Sequence, residues 1–175
     1  MVNMDMANKG MGFELEVKLA NRHYANEGKA LIQKISTPWK IERRLVRGKN
    51  VIVSAKPEGK STLDFRGTVK GGLSISFDCK ETLEEKGLPL KNIEEHQIEY
   101  MRSAIAVNET TFILCLMKAI DRRFYIPGSL VIEYWDRWKA NKGKKGYNYI
   151  PLSEMKEVYF DDDLFLDYLK ALEVR

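Results

Sequence analysis

The stretch Leu73-Ser74-Ile75-Ser76-Phe77-Asp78-Cys79-Lys80 alternates apolar and polar side chains with a period of two, the period of a β-strand and not of a helix. Successive side chains of a strand point to opposite faces. Leu73, Ile75 and Phe77 therefore share one face, and Asp78 and Lys80 share the other. Gly71-Gly72, just before, is a turn signal, and Thr62 to Phe65 reads as the partner strand of a hairpin.

Around this hairpin the chain mixes helical and strand periods. Apolar residues Phe13, Leu15, Val17, Leu19, Ala20 and Tyr24 predict a helix over Gly12 to Glu27, with Gly28 as its C-cap. Ala30 to Ile35 reads as a strand closed by Thr37-Pro38. Trp39 to Gly48 is basic and is followed by Val51-Ile52-Val53 and the turn-rich Lys56 to Lys60, an excursion with its own local structure. Ile93 to Ala106 predicts a helix whose first turn carries Glu94 and Glu95, which suits the helix dipole. Thr111 to Met117 is continuously apolar, as a central strand buried on both faces requires. A strand at Arg123 to Ile126, a helix at Leu130 to Lys139, a basic loop to Lys145 and a closing helix over Asp161 to Leu172 complete the reading.

The chain's 175 residues fit one domain, with residues 1–10 as a tail. At 44% hydrophobic and 31% charged it has the composition of a globular protein and lacks the low hydrophobicity that forces disorder. A net charge of +4 permits an anionic partner without demanding one. Basic residues gather at Lys40, Arg43, Arg44, Arg47 and Lys49, and again at Lys139, Lys142, Lys144 and Lys145. Cys79 and Cys115 lie in apolar runs as small hydrophobes, with neither a disulfide framework nor zinc spacing. No segment has signal-peptide character or approaches the roughly 20 apolar residues of a membrane span, so a reducing cytoplasm is expected.

Thirteen residues separate Asp64 from Asp78, and a hairpin brings the two carboxylates together. Mg²⁺ takes hard oxygen ligands, with one or two carboxylates completed by water and phosphate oxygens. Lys80, on the face of Asp78, is placed to stabilise charge on a phosphate or to orient an attacking water. Taken alone, such a trio also arises by chance on a solvated face of any charged chain.

The company of these residues is more specific. Asn8-Lys9-Gly10-Met11-Gly12-Phe13-Glu14, Ser36-Thr37-Pro38, Ser61-Thr62-Leu63-Asp64, Asp78-Cys79-Lys80-Glu81-Thr82, Leu88-Pro89-Leu90-Lys91-Asn92-Ile93 and His96-Gln97-Ile98-Glu99 follow one another in an order that resembles the RecU-type Holliday junction resolvases, a branch of the PD-(D/E)xK nucleases. The resemblance implies an α/β, restriction-endonuclease-like fold: a mixed central sheet flanked by helices, with a protruding basic stalk. It implies a symmetric homodimer that cuts four-way DNA junctions with Mg²⁺ or Mn²⁺, in the cytoplasm of a bacterial or phage-infected cell. By position, Asp64 and Asp78 would be metal ligands, Lys80 the motif lysine, Glu14 a first-helix carboxylate pointing at the site, and Gln97 an active-site polar residue. The family more often has Glu-Ala-Lys where this chain has Asp78-Cys79-Lys80, whose acid is one methylene shorter.

Residues 38–60 match the family's stalk in position but diverge from it in sequence. There Arg43, Arg44, Arg47, Lys49 and Lys60 would meet phosphates, through contacts that are salt-dependent and blind to sequence. Lys144 and Lys145 are either further DNA-backbone contacts or a solvated loop, and Trp135 with Trp138 reads as core or dimer packing. Two other readings stay open at this point: a junction-binding architectural protein with little or no cleavage, and a nuclease of the same fold acting on other branched DNA.

Overall fold

The structure is a computed structural model that describes residues 12–36, 39–57, 62–142, 144–162 and 165–172. Helix α1 (Phe13–Asn26) is followed by β1 (Ala30–Lys34), a hairpin of β2 (Trp39–Arg47) and β3 (Asn50–Pro57), and a second hairpin of β4 (Phe65–Val69) and β5 (Leu73–Thr82). After β6 (Gly87–Pro89) and a 3₁₀ turn at Leu90–Asn92 come α2 (Glu95–Ala106), β7 (Thr110–Met117), β8 (Arg122–Pro127) and α3 (Gly128–Ala140). The short strands β9 (Tyr149–Pro151), β10 (Lys156–Val158), β11 (Phe160–Asp161) and β12 (Phe165–Leu166) lead to a final 3₁₀ turn at Tyr168–Ala171.

Six strands form the central sheet in the order β1-β4-β5-β7-β8-β10. β5 and β7 pair in parallel and every other neighbour is antiparallel. A parallel step requires a crossover connection, and α2 lies in it. The expected mixed sheet flanked by helices is thus present. On one face α1 sets Phe13, Val17, Ala20 and Tyr24 against Phe65, Ile75, Phe77 and Phe112. On the other, α2 and α3 set Ile98, Met101, Val131 and Trp135 against Ile113, Cys115 and Ile126. β7 contributes to both cores, which is why its sequence shows no alternation.

The predicted alternation of β5 holds. Ile75 and Phe77 enter the α1 core, where Phe77 stacks between Phe65 and Phe112 at ring separations of 5.0 and 4.6 Å. Both cysteines are free, with Cys115 buried and Cys79 half-buried. Trp135 is buried in the α2–α3 core, and Trp138 meets it edge-on at 5.2 Å. No helix among the described residues is long and apolar enough to cross a membrane.

Three expectations need correction. The first strand of the central hairpin is Phe65–Val69, not Thr62 to Phe65, because Gly71 and Gly72 make a turn at positive φ that fixes where pairing with Leu73 begins. The helix expected from Ile93 starts at Glu95, after the 3₁₀ turn, with Glu94 as its N-cap. The closing helix over Asp161 to Leu172 does not form. Asp162 adopts a left-handed φ of 44°, and consecutive Phe165 and Leu166 are both buried against α1. Tertiary contacts hold this segment: Phe165 stacks on His23 at 3.8 Å, Asp167 accepts the Tyr24 hydroxyl at 2.8 Å, and the Tyr168 hydroxyl donates to Asn21.

The excursion is a β-ribbon. Among the described residues β2 and β3 pair only with each other, and they are inserted between β1 and β4, which are direct neighbours in the sheet. Away from either core, its apolar side chains are exposed, Trp39 at 63% and Val46 at 64%.

Candidate active site

The parity of β5 that buries Phe77 under α1 turns Asp78 and Lys80 to the opposite face, toward α2. Asp78 is 1% exposed, at the centre of the sheet beside Ile113 of β7. Its Oδ2 lies 2.7 Å from the Lys80 ammonium, while its Oδ1 accepts a hydrogen bond from Gln97 Nε2 at 2.9 Å. Oδ2 is buried and has the ion pair but no well-aligned hydrogen bond.

Gln97 reaches Asp78 because of how α2 starts. Glu94 and Gln97 form a capping box, with the Glu94 N–H donating to Gln97 Oε1 at 3.1 Å. One end of the amide therefore closes the helix and the other is aimed at Asp78. His96, on the same turn, lies 3.4 Å from Glu94.

Asp64 stands one residue before β4. Since Phe65 pairs with Phe77, Asp64 sits opposite Asp78, and its carbonyl accepts the Ile35 N–H at 2.7 Å. The two carboxylates are close enough to influence one another. Burial, the largest influence, pushes Asp78 up to about 6; Lys80 opposes that rise and the neighbouring Asp64 charge adds to it.

Glu14 is placed less directly than expected. Its carboxylate is held by Lys18 at 2.7 Å and Lys34 at 2.6 Å, and these two partners lower its pKa. Lys34 in turn feels the charge of Asp64 as well as that of Glu14. Glu14 thus borders the carboxylate pair through Lys34.

Sequence reasoning missed Lys34, Arg66 and Glu109. Arg66 follows Asp64 by two on the same face, and its exposed guanidinium is tied at 3.3 Å to Glu109, whose carboxylate is buried and also receives the Tyr100 hydroxyl at 3.5 Å. The Asp64-x-Arg66 spacing was a usable signal for Arg66. None existed for Glu109, which is brought there by the parallel pairing of β7.

The basic residues are spread over two other regions. Arg43, Arg44 and Lys49 are exposed on the β2–β3 ribbon, and Arg47 closes β2. Lys144 and Lys145 are exposed in the turn after α3, and Lys60 lies outside the described residues. Among the described residues no group of three or more His, Cys, Asp or Glu is arranged as a metal cage, so the acidic centre consists of the Asp64–Asp78 pair.

Fold and site together define a class: an α/β protein with a mixed central sheet flanked by helices, and with two aspartates and a lysine gathered at its central hairpin. The family model described as RecU, Recombination protein U, matches residues 8–174, and the chain belongs to that family. It is 33% identical over 167 residues to the Holliday junction resolvase RecU of Streptococcus uberis, covering 90% of this chain and 82% of that one. Its identity to the protein of the same name from Lactiplantibacillus plantarum is 30% over 177 residues, covering 98% and 83%. Among solved structures it is similar to Hjc of Archaeoglobus fulgidus, a Holliday junction resolvase, with a TM-score of 0.41, 11% identity, and coverage of 81% and 94%.

Proposed function

We propose that this chain is a Holliday junction resolvase: a divalent-metal-dependent endonuclease that cuts four-way DNA junctions by paired nicks, one from each subunit of a homodimer in the cytoplasm. The observation that carries the reading is the buried Asp78, flanked by Asp64, Lys80 and Gln97 in a chain of the RecU family.

The residues fit Mg²⁺ or Mn²⁺. Asp78 Oδ2 is buried, ion-paired with Lys80 but without a well-aligned hydrogen bond, and a second carboxylate stands beside it, a hard-oxygen pair that suits such an ion with water and phosphate oxygens completing the shell. Asp64 and Asp78 would hold it. The ion, when bound, supplies a nucleophile at neutral pH and offsets charge developing at phosphorus. The chain's own groups do the rest. Gln97 fixes the rotamer of Asp78, and Lys80 sets a positive charge beside the scissile phosphate and orients the attacking water. Glu14 steadies Lys34 at the border of the site.

The ribbon Trp39–Pro57 serves as the stalk, where Arg43, Arg44, Arg47 and Lys49, continued by Lys60, meet phosphates at the open centre of the junction. Lys144 and Lys145 add backbone contacts. A twofold dimer matches the twofold symmetry of a stacked junction and places one centre at each of two opposed strands.

The test is cleavage of a labelled four-way junction in Mg²⁺ or Mn²⁺ against EDTA, alongside Y-shaped and linear DNA. Metal-dependent nicking of the four-way junction is expected, lost in Asp64→Asn and Asp78→Asn with binding retained. Full activity in both variants would sink the mechanism. Binding without nicking would make the protein architectural, and equal cutting of all three substrates would reassign the substrate.

A further inference from the structure

A second concave site lies on the α2–α3 side of the sheet, apart from the carboxylates. β6 and β9 pair with Pro89 opposite Tyr149, and their neighbours Leu88, Leu90 and Ile150 are buried in the α2–α3 core. Between this pair and the last turn of α3 is a cavity of about 380 Å³, lined among others by Glu84, Lys86, Lys91, Trp138, Asn148 and Tyr149. That volume falls in the roughly 300–1,000 Å³ range of small-ligand sites.

Its walls combine three kinds of group. Trp138 and Tyr149 supply aromatic surface, and Trp138 is fixed by its edge-on contact with Trp135 at 5.2 Å. Lys86 and Lys91 are exposed at the rim. Glu84 and Asn148 offer a hydrogen-bond acceptor and a mixed donor–acceptor, which match the edge of a base. Outside the rim the basic character continues: the Lys139 ammonium stands 4.5 Å from the Trp135 ring centre and 5.5 Å from that of Trp138, and Lys142, Lys144 and Lys145 follow α3. Aromatic faces flanked by lysines are the means by which proteins hold single-stranded nucleic acid, one base stacked and its phosphates neutralised.

We infer that this cavity binds an unstacked nucleotide of DNA, its base against Trp138 and Tyr149 and its flanking phosphates on Lys86 and Lys91. The inference rests on the reading that the chain acts on DNA, and it adds a point where an unpaired base is taken up. β6 follows β5 by only four residues, so the pocket is connected to the strand that bears Asp78 and Lys80.

The experiment uses the full chain in EDTA, so that binding is measured without cleavage. Labelled oligothymidylate is titrated by anisotropy across a salt series, and an oligonucleotide carrying one 5-iodouracil is photocrosslinked and the adduct mapped by mass spectrometry. An adduct on Trp138 or Tyr149 is expected. Trp138→Ala should weaken binding about tenfold, within the range of losing one stacked base. Lys86→Ala with Lys91→Ala should lower the slope of log K against log salt by about 1.4. These two lysines are exposed, so that double variant reads out even if Trp138→Ala fails to fold.

An adduct only elsewhere, or an unchanged salt slope, overturns the proposal. Displacement of the oligonucleotide by micromolar dTMP would reassign the cavity to a free nucleotide and equally overturn it; no displacement is expected. Junction cleavage with metal is scored separately. An adduct in the cavity without cleavage would defeat the resolvase reading alone, and cleavage without the adduct would defeat the cavity alone.

Discussion

Gln97 Nε2 donates to Asp78 Oδ1 at 2.9 Å while its Oε1 accepts the Glu94 N–H at 3.1 Å, so one side chain both starts helix α2 and holds the buried acid. The two tasks separate by mutation. Gln97→Glu keeps an acceptor for the Glu94 N–H but replaces the donor facing Asp78 with a carboxylate oxygen. Gln97→Ala loses both. Cleavage should fall 10- to 100-fold in each, the usual range for an outer partner of a metal ligand. Stability should fall by about 1 kcal/mol in Gln97→Ala through the lost cap. Urea unfolding and single-turnover cleavage of both variants check this, and an unimpaired Gln97→Glu would refute the positioning role.

The raised pKa of Asp78 has a definite sign in stability. Its carboxyl titrates near 3.8 in a free side chain and at about 6 in the fold, so between those values the folded state binds more protons than the unfolded one. The ionised group therefore costs the metal-free protein on the order of 3 kcal/mol above about pH 6, a cost absent below about pH 4. Asp78→Asn removes the titration. The wild-type Tm minus that of Asp78→Asn should fall as pH rises from about 4 to 6 and then level off. A flat difference in thermal melts would exclude the effect.

Cations on the β2–β3 ribbon should act on affinity and not on chemistry. Arg43, Arg44 and Lys49 are exposed, and each phosphate contact contributes about 0.9 to the salt slope on duplex DNA. Changing all three to Ser should weaken four-way-junction binding and lower that slope by up to about 2.7, with little change for linear duplex. Cleavage at saturating protein should persist. Equal losses on both substrates would show that the ribbon is not a junction reader.

Helix α1 is tied to the far side of the sheet by a buried, two-pronged ion pair. Arg123 of β8 donates to Glu16 through Nε at 3.0 Å and Nη2 at 2.8 Å, with the Glu16 side chain 3% exposed. Glu16→Ala would leave the Arg123 guanidinium with its Nη1 contacts to the Asp121 carboxylate and carbonyl at 2.7 Å. It should cost about 1.5–3 kcal/mol in urea unfolding, the range for hydrogen bonds to a charged group, and Glu16→Ala with Arg123→Met should recover part of it. An additive double variant would count against the pairing.

Much of the centre was legible from local geometry. A strand turns alternate residues to opposite faces whatever surrounds it, so Leu73 to Lys80 alone placed Asp78 and Lys80 together and away from Phe77, as found. The unbroken apolar run of β7 likewise announced a strand buried on both sides. Gln97 was reached only through the family resemblance, since no spacing rule links residues 78 and 97. The helix expected at Asp161 to Leu172 failed because Phe165, Asp167 and Tyr168 gain more from α1 than from one another.

By itself, the sequence determined what is periodic or contiguous: the faces of β5, the helices α1, α2 and α3, the basic excursion between residues 38 and 60, and the ordered motifs of the family. Only the tertiary structure decided which partners those side chains meet. Glu14 is held by Lys18 and Lys34, Arg66 is anchored on Glu109, and Asp78 sits buried beneath Gln97. The reason is physical. Side-chain direction follows from the backbone of a few residues, whereas an ion pair or a desolvated carboxylate depends on strand register and on the crossover that lays α2 over the sheet.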